Sequence, residues 1–178
     1  MDKGEHMNSI FYRRSIRSFL DKDVECEKIE RVLRAGMQAP SAHNFKPWEF
    51  IVVESEEKKN DISKMSPYAI PVSKSKVSIV VLGNIKLVEK DNMWLQQDLS
   101  AAIQNMLLQI VEEGLGGVWL GFYPEVERVE KMKRYFNLPE HIIPFGVVAF
   151  GYSNEENKFI DRYDETKVYC ENYNWEEN

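Results

Sequence analysis

Between Asp91 and Glu113 the chain places Leu95, Leu99, Ala102, Ile103, Met106, Leu107, Ile110 and Val111 at three- and four-residue spacing. That spacing predicts an amphipathic helix sustained over several turns, stopped by Gly114 and the Gly116-Gly117 pair. The apolar stripe is wide enough to touch neighbours on more than one side, so other elements must be built around it. Upstream, Val77 to Asn84 is an apolar run of strand length bounded by turn residues, the pattern of a strand covered on both faces. Such a strand belongs in the middle of a sheet.

The remaining elements follow from the same periodicities. Ile10 and Phe11 after Asn8-Ser9 predict a short helix ending at the arginines. The acidic run Asp21-Lys22-Asp23 opens a helix with Asp23, Glu25 and Glu27 in its first turns, carrying Ile29, Val32, Leu33 and Gly36 on one face and closing before Pro40. Glu49 to Glu54 reads as a strand and Glu56 to Met65 as a modest surface helix, broken by Pro67 to Pro71. Val118 to Gly121 is a short strand, Pro124 to Phe136 a helix, and Phe145 to Tyr152 a fourth strand. Helices alternating with strands predict a layered α+β protein with a central mixed β-sheet flanked by helices, organised as one domain over residues 1–178.

Composition narrows the function. A net charge of −6 argues against nucleic acid, which requires a basic footprint. Cys26 and Cys170 offer neither metal-ligand nor disulfide spacing. No apolar run approaches the ~20 residues of a membrane span, and the N-terminus lacks a signal-peptide layout, so a cytoplasmic protein is expected. No Ser/His/Asp, Cys/His, paired-carboxylate or HExxH constellation stands out. A catalytic role for His141 has no carboxylate or nucleophile beside it in sequence to support it.

Two basic and turn-rich stretches carry chemistry instead. Arg13-Arg14-Ser15-Ile16-Arg17 packs three guanidiniums and a hydroxyl into five residues, matching a phosphate bidentately; a solvated surface is the bland alternative. Ile16 and Phe19 interleave with the basic positions, so an extended segment would present arginines on one side and a core face on the other. Pro40-Ser41-Ala42-His43-Asn44 is a small-residue turn able to bring backbone N–H, hydroxyl and amide groups to a flat polar ring. Gly121 allows close backbone approach, or simply a tight strand-to-helix turn.

Taken together, RRSIR, APSAHNFKPWEF, the long helix ending GLGGVWLG and the closing GY followed by a basic residue resemble the FMN-dependent nitroreductase family over roughly Met7 to Val168. The resemblance implies a homodimer with the long helix as its spine, FMN at the interface, and residues 153–178 reaching onto the partner subunit. It implies that Arg13 and Arg162 hold the FMN phosphate, that Arg14 and Ser15 meet the phosphate and ribityl chain, and that Arg17 lies by N1 and the C2 carbonyl. Leu120 and Gly121 would sit near N5, while Pro40, Ser41, Ala42 and Asn44 would approach from the partner. Lys46 stands where many members carry Gln, and Lys158 fits the basic phosphate position less well than Arg162.

The implied activity is ping-pong oxidoreduction, electrons passing from NAD(P)H through flavin N5 to nitroaromatic, quinone or similar acceptors. The flavin carries the chemistry, Arg17 tunes it electrostatically, and no metal is involved. Another flavin enzyme on the same fold, such as a flavin reductase or a dehalogenase-like enzyme, and a non-enzymatic flavin-binding module are the alternatives.

Overall fold

The computed structural model describes residues 8–88 and 93–173. Its centre is a four-stranded sheet in the order β1-β2-β4-β3, built from β1 (Trp48–Val53), β2 (Val77–Asn84), β3 (Gly116–Gly121) and β4 (Ile142–Gly151). All three pairings are antiparallel. The expected mixed sheet is therefore corrected to an antiparallel one among the described residues, where the parallel contribution is one isolated bridge, Ser15 to Gly117. The apolar run of β2 does lie mid-sheet, buried from Val77 to Gly83.

Alternation along the strands sends side chains into two cores. Ile79, Val81, Val148 and Phe150 face α2 (Cys26–Met37) and α5 (Leu95–Glu112), meeting Val32, Leu99, Ile103 and Met106. Val80, Leu82, Val147 and Ala149 face the other way, onto Ile62 of α3 (Glu56–Ser63), Val72 of α4 (Ile70–Lys74) and Met132 of α6 (Val126–Phe136). The long helix thus runs under the sheet, close enough that a Cβ at Gly83 would stand 2.9 Å from Leu99. Asp91, the expected start of that helix, lies outside the described residues.

Several boundaries differ from the periodicity for physical reasons. Asp21 and Asp23 do not open α2, which begins at Cys26; both carboxylates instead bind the Lys76 ammonium. In α3, Lys59 is buried, its ammonium donating to the Ser75 and Lys76 carbonyls at 2.6 and 3.0 Å, and burial lowers its pKa from the usual lysine value. Pro71 sits in the first turn of α4, where its missing N–H costs nothing, so a stretch that reads as a breaker forms a short helix. The ladder between β2 and β4 shifts between Val81 and Leu82, opposite Pro144, which has no N–H to contribute. Phe145 is left over, and its carbonyl accepts from Phe122 and Tyr123 at 3.2 and 3.0 Å, turning the chain as it leaves β3.

The N-terminal segment is strapped to the free edge of that strand. After α1 (Ser9–Tyr12), capped by the Asn8 side chain, the backbone goes extended and the Ile16 N–H donates to the Gly117 carbonyl at 3.0 Å. Ile16 is buried over Gly116, where an added Cβ would fall 2.7–2.9 Å from its Cγ2, Cβ and Cγ1 atoms. Gly116→Ala is therefore expected to cost about 1–3 kcal/mol by overpacking in urea denaturation. Gly121→Ala, whose Cβ meets nothing within 4 Å, should change stability by less than about 0.5 kcal/mol.

Candidate functional site

Strapping residues 15–17 to β3 fixes what surrounds them. With Ile16 turned into the core, Ser15 and Arg17 are exposed, and Arg13 and Arg14 stand at the end of α1. The chain after β4 returns to the same place. Asn157 accepts from the Arg14 N–H at 3.2 Å and donates to the Leu115 carbonyl at 3.1 Å, Phe159 stacks on Phe11 at 5.4 Å, and the Ile160 N–H binds the Phe11 carbonyl at 3.1 Å.

This return brings Arg162 within electrostatic reach of Arg14. Desolvation, then the positive charges of Arg162 and Arg13, lowers the Arg14 pKa from its usual value. Arg14 is folded back, its guanidinium donating to the Arg13 and Phe11 carbonyls, while its Nε–H is buried without a partner. Among the described residues, none of Arg13, Arg14, Arg17 and Arg162 forms an ion pair. Three gathered guanidiniums without a carboxylate, one of them with an unsatisfied donor, have the chemistry of a phosphate site.

Beside this cluster lies a cavity of about 610 Å³. Arg17 stands in its lining with Trp119, Leu120 and Gly121 of β3; Pro67, Tyr68, Ile70, Pro71 and Lys74 form another wall, and Arg128 of α6 completes it. Leu120 is buried, with its side chain packed in the α4–α6 core, whereas Gly121 is exposed. The Arg128 guanidinium lies 5.5 Å from the Tyr68 ring centroid and 3.5 Å from the Gly121 carbonyl. The site thus joins a phosphate-like cluster to a slot with an aromatic and apolar lining, the shape of a site for a phosphorylated ring.

The second predicted half is placed elsewhere. Pro40, Ser41, Ala42 and Asn44 do not line this cavity, so within one chain the structure does not bring them to Arg17 and Gly121. Their loop is tightly held: Lys46 N–H donates to Ser41 Oγ at 2.9 Å, and His43, Asn44 and Lys46 all take left-handed φ, 51°, 59° and 52°. Sequence reasoning missed the anchor. Asp98 of α5, only 5% exposed, accepts the Ala42 N–H at 3.0 Å, while its Oδ2 has no partner. An acid at a buried position of the apolar helix was the available signal. Asn157, Lys74 and Arg128, also missed, carry no local signal.

Among the described residues no group of His, Cys, Asp and Glu could hold a metal, and no helix is long and apolar enough to cross a membrane. Asp98→Ala should accelerate hydrogen exchange at the Ala42 amide and cost roughly 1–2 kcal/mol. Asp98→Asn, which keeps an acceptor oxygen, should retain most of the protection.

Comparison with known proteins gives a consistent picture. The model of the nitroreductase family matches residues 10–78 and 74–152. A Methanothermobacter thermautotrophicus relative provisionally named NADH dehydrogenase/NAD(P)H nitroreductase is 39% identical over 173 residues, 97% of this chain and 90% of its own. The crystal structure of a provisionally named NADH oxidase from Clostridium acetobutylicum superposes with a TM-score of 0.89 at 47% identity, covering 93% of this chain and 99% of that one. An FMN-dependent nitroreductase from Clostridium difficile does so with a TM-score of 0.85 at 28% identity, covering 93% and 99%. With matches along nearly its whole length, this chain belongs to the nitroreductase family.

Proposed function

We propose that the chain is an FMN-dependent oxidoreductase that takes electrons from NAD(P)H and delivers them to nitroaromatic, quinone or similar acceptors by a ping-pong mechanism. The observation that carries the reading is the Arg13, Arg14 and Arg162 cluster, without carboxylate partners, set beside the slot that contains Arg17 and Gly121. Bound FMN supplies the two-electron redox centre; the residues of the chain bind it, orient it and set its electrostatics.

Arg13 and Arg162 hold the phosphate by charge-assisted hydrogen bonds, with the Arg14 Nε–H and the Ser15 hydroxyl beside them. Arg17, free of any carboxylate among the described residues, presents a fixed positive charge to the edge of the ring and favours its electron-rich state. Leu120 and Gly121 offer backbone rather than side chains to the ring, and Gly121 has open space where a Cβ would stand. Both donor and acceptor use the same open face, which is what a ping-pong exchange requires.

The loop from Pro40 to Asn44 completes the site from a partner subunit, so the active unit is a homodimer. Two features support this. The loop is held by hydrogen bonds away from the slot of its own chain, and residues 161–173 are mostly exposed, including Tyr163, Val168, Tyr169 and Tyr173. On this reading α5 forms the dimer spine and residues 153–178 extend the single domain onto the partner; Trp175 lies outside the described residues.

The test is an absorbance spectrum of the purified protein, then anaerobic addition of NADH and of NADPH. A flavin band that bleaches with either donor is expected; a colourless protein that also fails to take up added FMN overturns the proposal, and so does an active monomer in sedimentation. Arg162→Gln should raise the Kd for FMN on the order of tenfold in flavin fluorescence titration, the worth of one charged hydrogen bond. Arg17→Ala removes a positive charge beside the ring, disfavours added electrons, and should lower the midpoint potential by roughly 20–60 mV in spectroelectrochemistry, about 1–3 kcal/mol for a two-electron couple.

A further inference from the structure

The lining of the 610 Å³ cavity contains Arg17, Lys74 and Arg128 and no acid, in a chain whose net charge is −6. Arg17 already has a part in the proposed function. Lys74 and Arg128 do not, and they arrive from different elements, the last turn of α4 and the first turns of α6. Neither forms an ion pair among the described residues. Glu127, next to Arg128, is engaged by Lys131 at 2.7 Å.

Arg128 is held in place rather than spread into solvent, by the Tyr68 ring under its guanidinium and the Gly121 carbonyl. Around the two cations, Tyr68 and Ile70 are 71% and 56% exposed beside Pro67 and Pro71. A flat apolar body carrying a negative charge meets both parts of this wall: the body covers exposed apolar surface, and the charge meets two cations in a partly enclosed slot where screening is weaker than on open surface.

We propose that Lys74 and Arg128, with Tyr68, form an anion subsite of the slot, which takes the carboxylate, sulfonate or phosphate group of a substrate whose ring stacks there. It is separate from the Arg13, Arg14 and Arg162 cluster, and it rests on the reading of the cavity as the flavin slot. The anion belongs either to an acidic aromatic acceptor or to the phosphates of the nicotinamide donor, and the chemistry of the subsite is the same for both.

The test uses the holoenzyme and the variants Lys74→Gln, Arg128→Gln, their combination and Arg128→Lys. Binding of benzoate and of benzyl alcohol to the oxidised protein is followed by calorimetry and by perturbation of the flavin spectrum. Wild type should bind benzoate in preference to the alcohol, and less tightly as ionic strength rises. Each neutral substitution should weaken benzoate on the order of fivefold, with Arg128→Lys retaining most of the affinity. In turnover, the ratio of kcat/KM for 4-nitrobenzoate to that for 4-nitrobenzyl alcohol should fall in step. If the variants instead raise KM for NADH or NADPH with benzoate unaffected, the anion is the phosphate of the donor. If neither ligand changes, or if only FMN affinity falls, the subsite is overturned, while a flavin that still bleaches with NADH leaves the proposed function standing. A protein that takes up no flavin overturns that function, and calorimetry with benzoate on the same protein still decides the subsite.

Discussion

One short strap organises the site: the Ile16 N–H on the Gly117 carbonyl, with the Ile16 side chain pressed onto Gly116. A single backbone hydrogen bond contributes about 1 kcal/mol, and burying an isoleucine contributes about 2–3 kcal/mol. That modest sum fixes the direction in which four arginine-bearing or hydroxyl-bearing residues project. With Ile16 inward, its exposed neighbours Ser15 and Arg17 stand along the β3 edge, and the chain returning through Asn157 and Phe159 has one place to dock. The glycine at 116 is therefore a packing requirement of the site.

The strap holds together groups that repel. Arg13, Arg14 and Arg162 are gathered although the chain carries an excess of acids, and among the described residues none of those acids forms an ion pair with them. The terminal nitrogens of the Arg14 guanidinium donate to carbonyls at the end of α1, where a helix leaves acceptors over, which keeps the charge in position without neutralising it. Elsewhere in the molecule comparable cations are paired: Lys76 with Asp21 and Asp23, and Arg31 with Glu113. On the proposed reading, guanidiniums gathered without carboxylate partners are electrostatic preorganisation, a field held ready by packing energy.

How much of this the sequence revealed follows from the range of the forces. Strands β2, β3 and β4, and the helix α5, were legible because alternation and helical spacing are local. The phosphate-like cluster was legible in Arg13 and Arg14 because they are adjacent; Arg162 entered by family resemblance, since nothing local links it to them. The acids at 21 and 23 misled, because an acidic run before a helix and a pair of acids awaiting Lys76 look identical along the chain. Pro67 to Pro71 read as a break, whereas α4 starts at Ile70 with Pro71 in its first turn and Val72 buried; burial is not written in the local sequence. Lys74 and Arg128 come to line one cavity only through the tertiary arrangement of α4 and α6, so no periodicity could pair them.

The loop from Pro40 to Lys46 shows the same logic under strain. Left-handed backbone at a non-glycine residue costs on the order of 1 kcal/mol, and His43, Asn44 and Lys46 each adopt it. The loop is mostly exposed, and the strand that follows begins only at Trp48. Yet a buried carboxylate, Asp98, with one oxygen left unsatisfied, is committed to holding the Ala42 N–H. A strained turn is thus held on the surface by the hydrogen bond from the Ala42 N–H to a buried side chain that keeps a second oxygen unpartnered. Such an arrangement makes physical sense when the surface it shapes is completed by something outside the chain, as the proposed two-fold site requires, because a loop already rigid loses little conformational entropy when it docks.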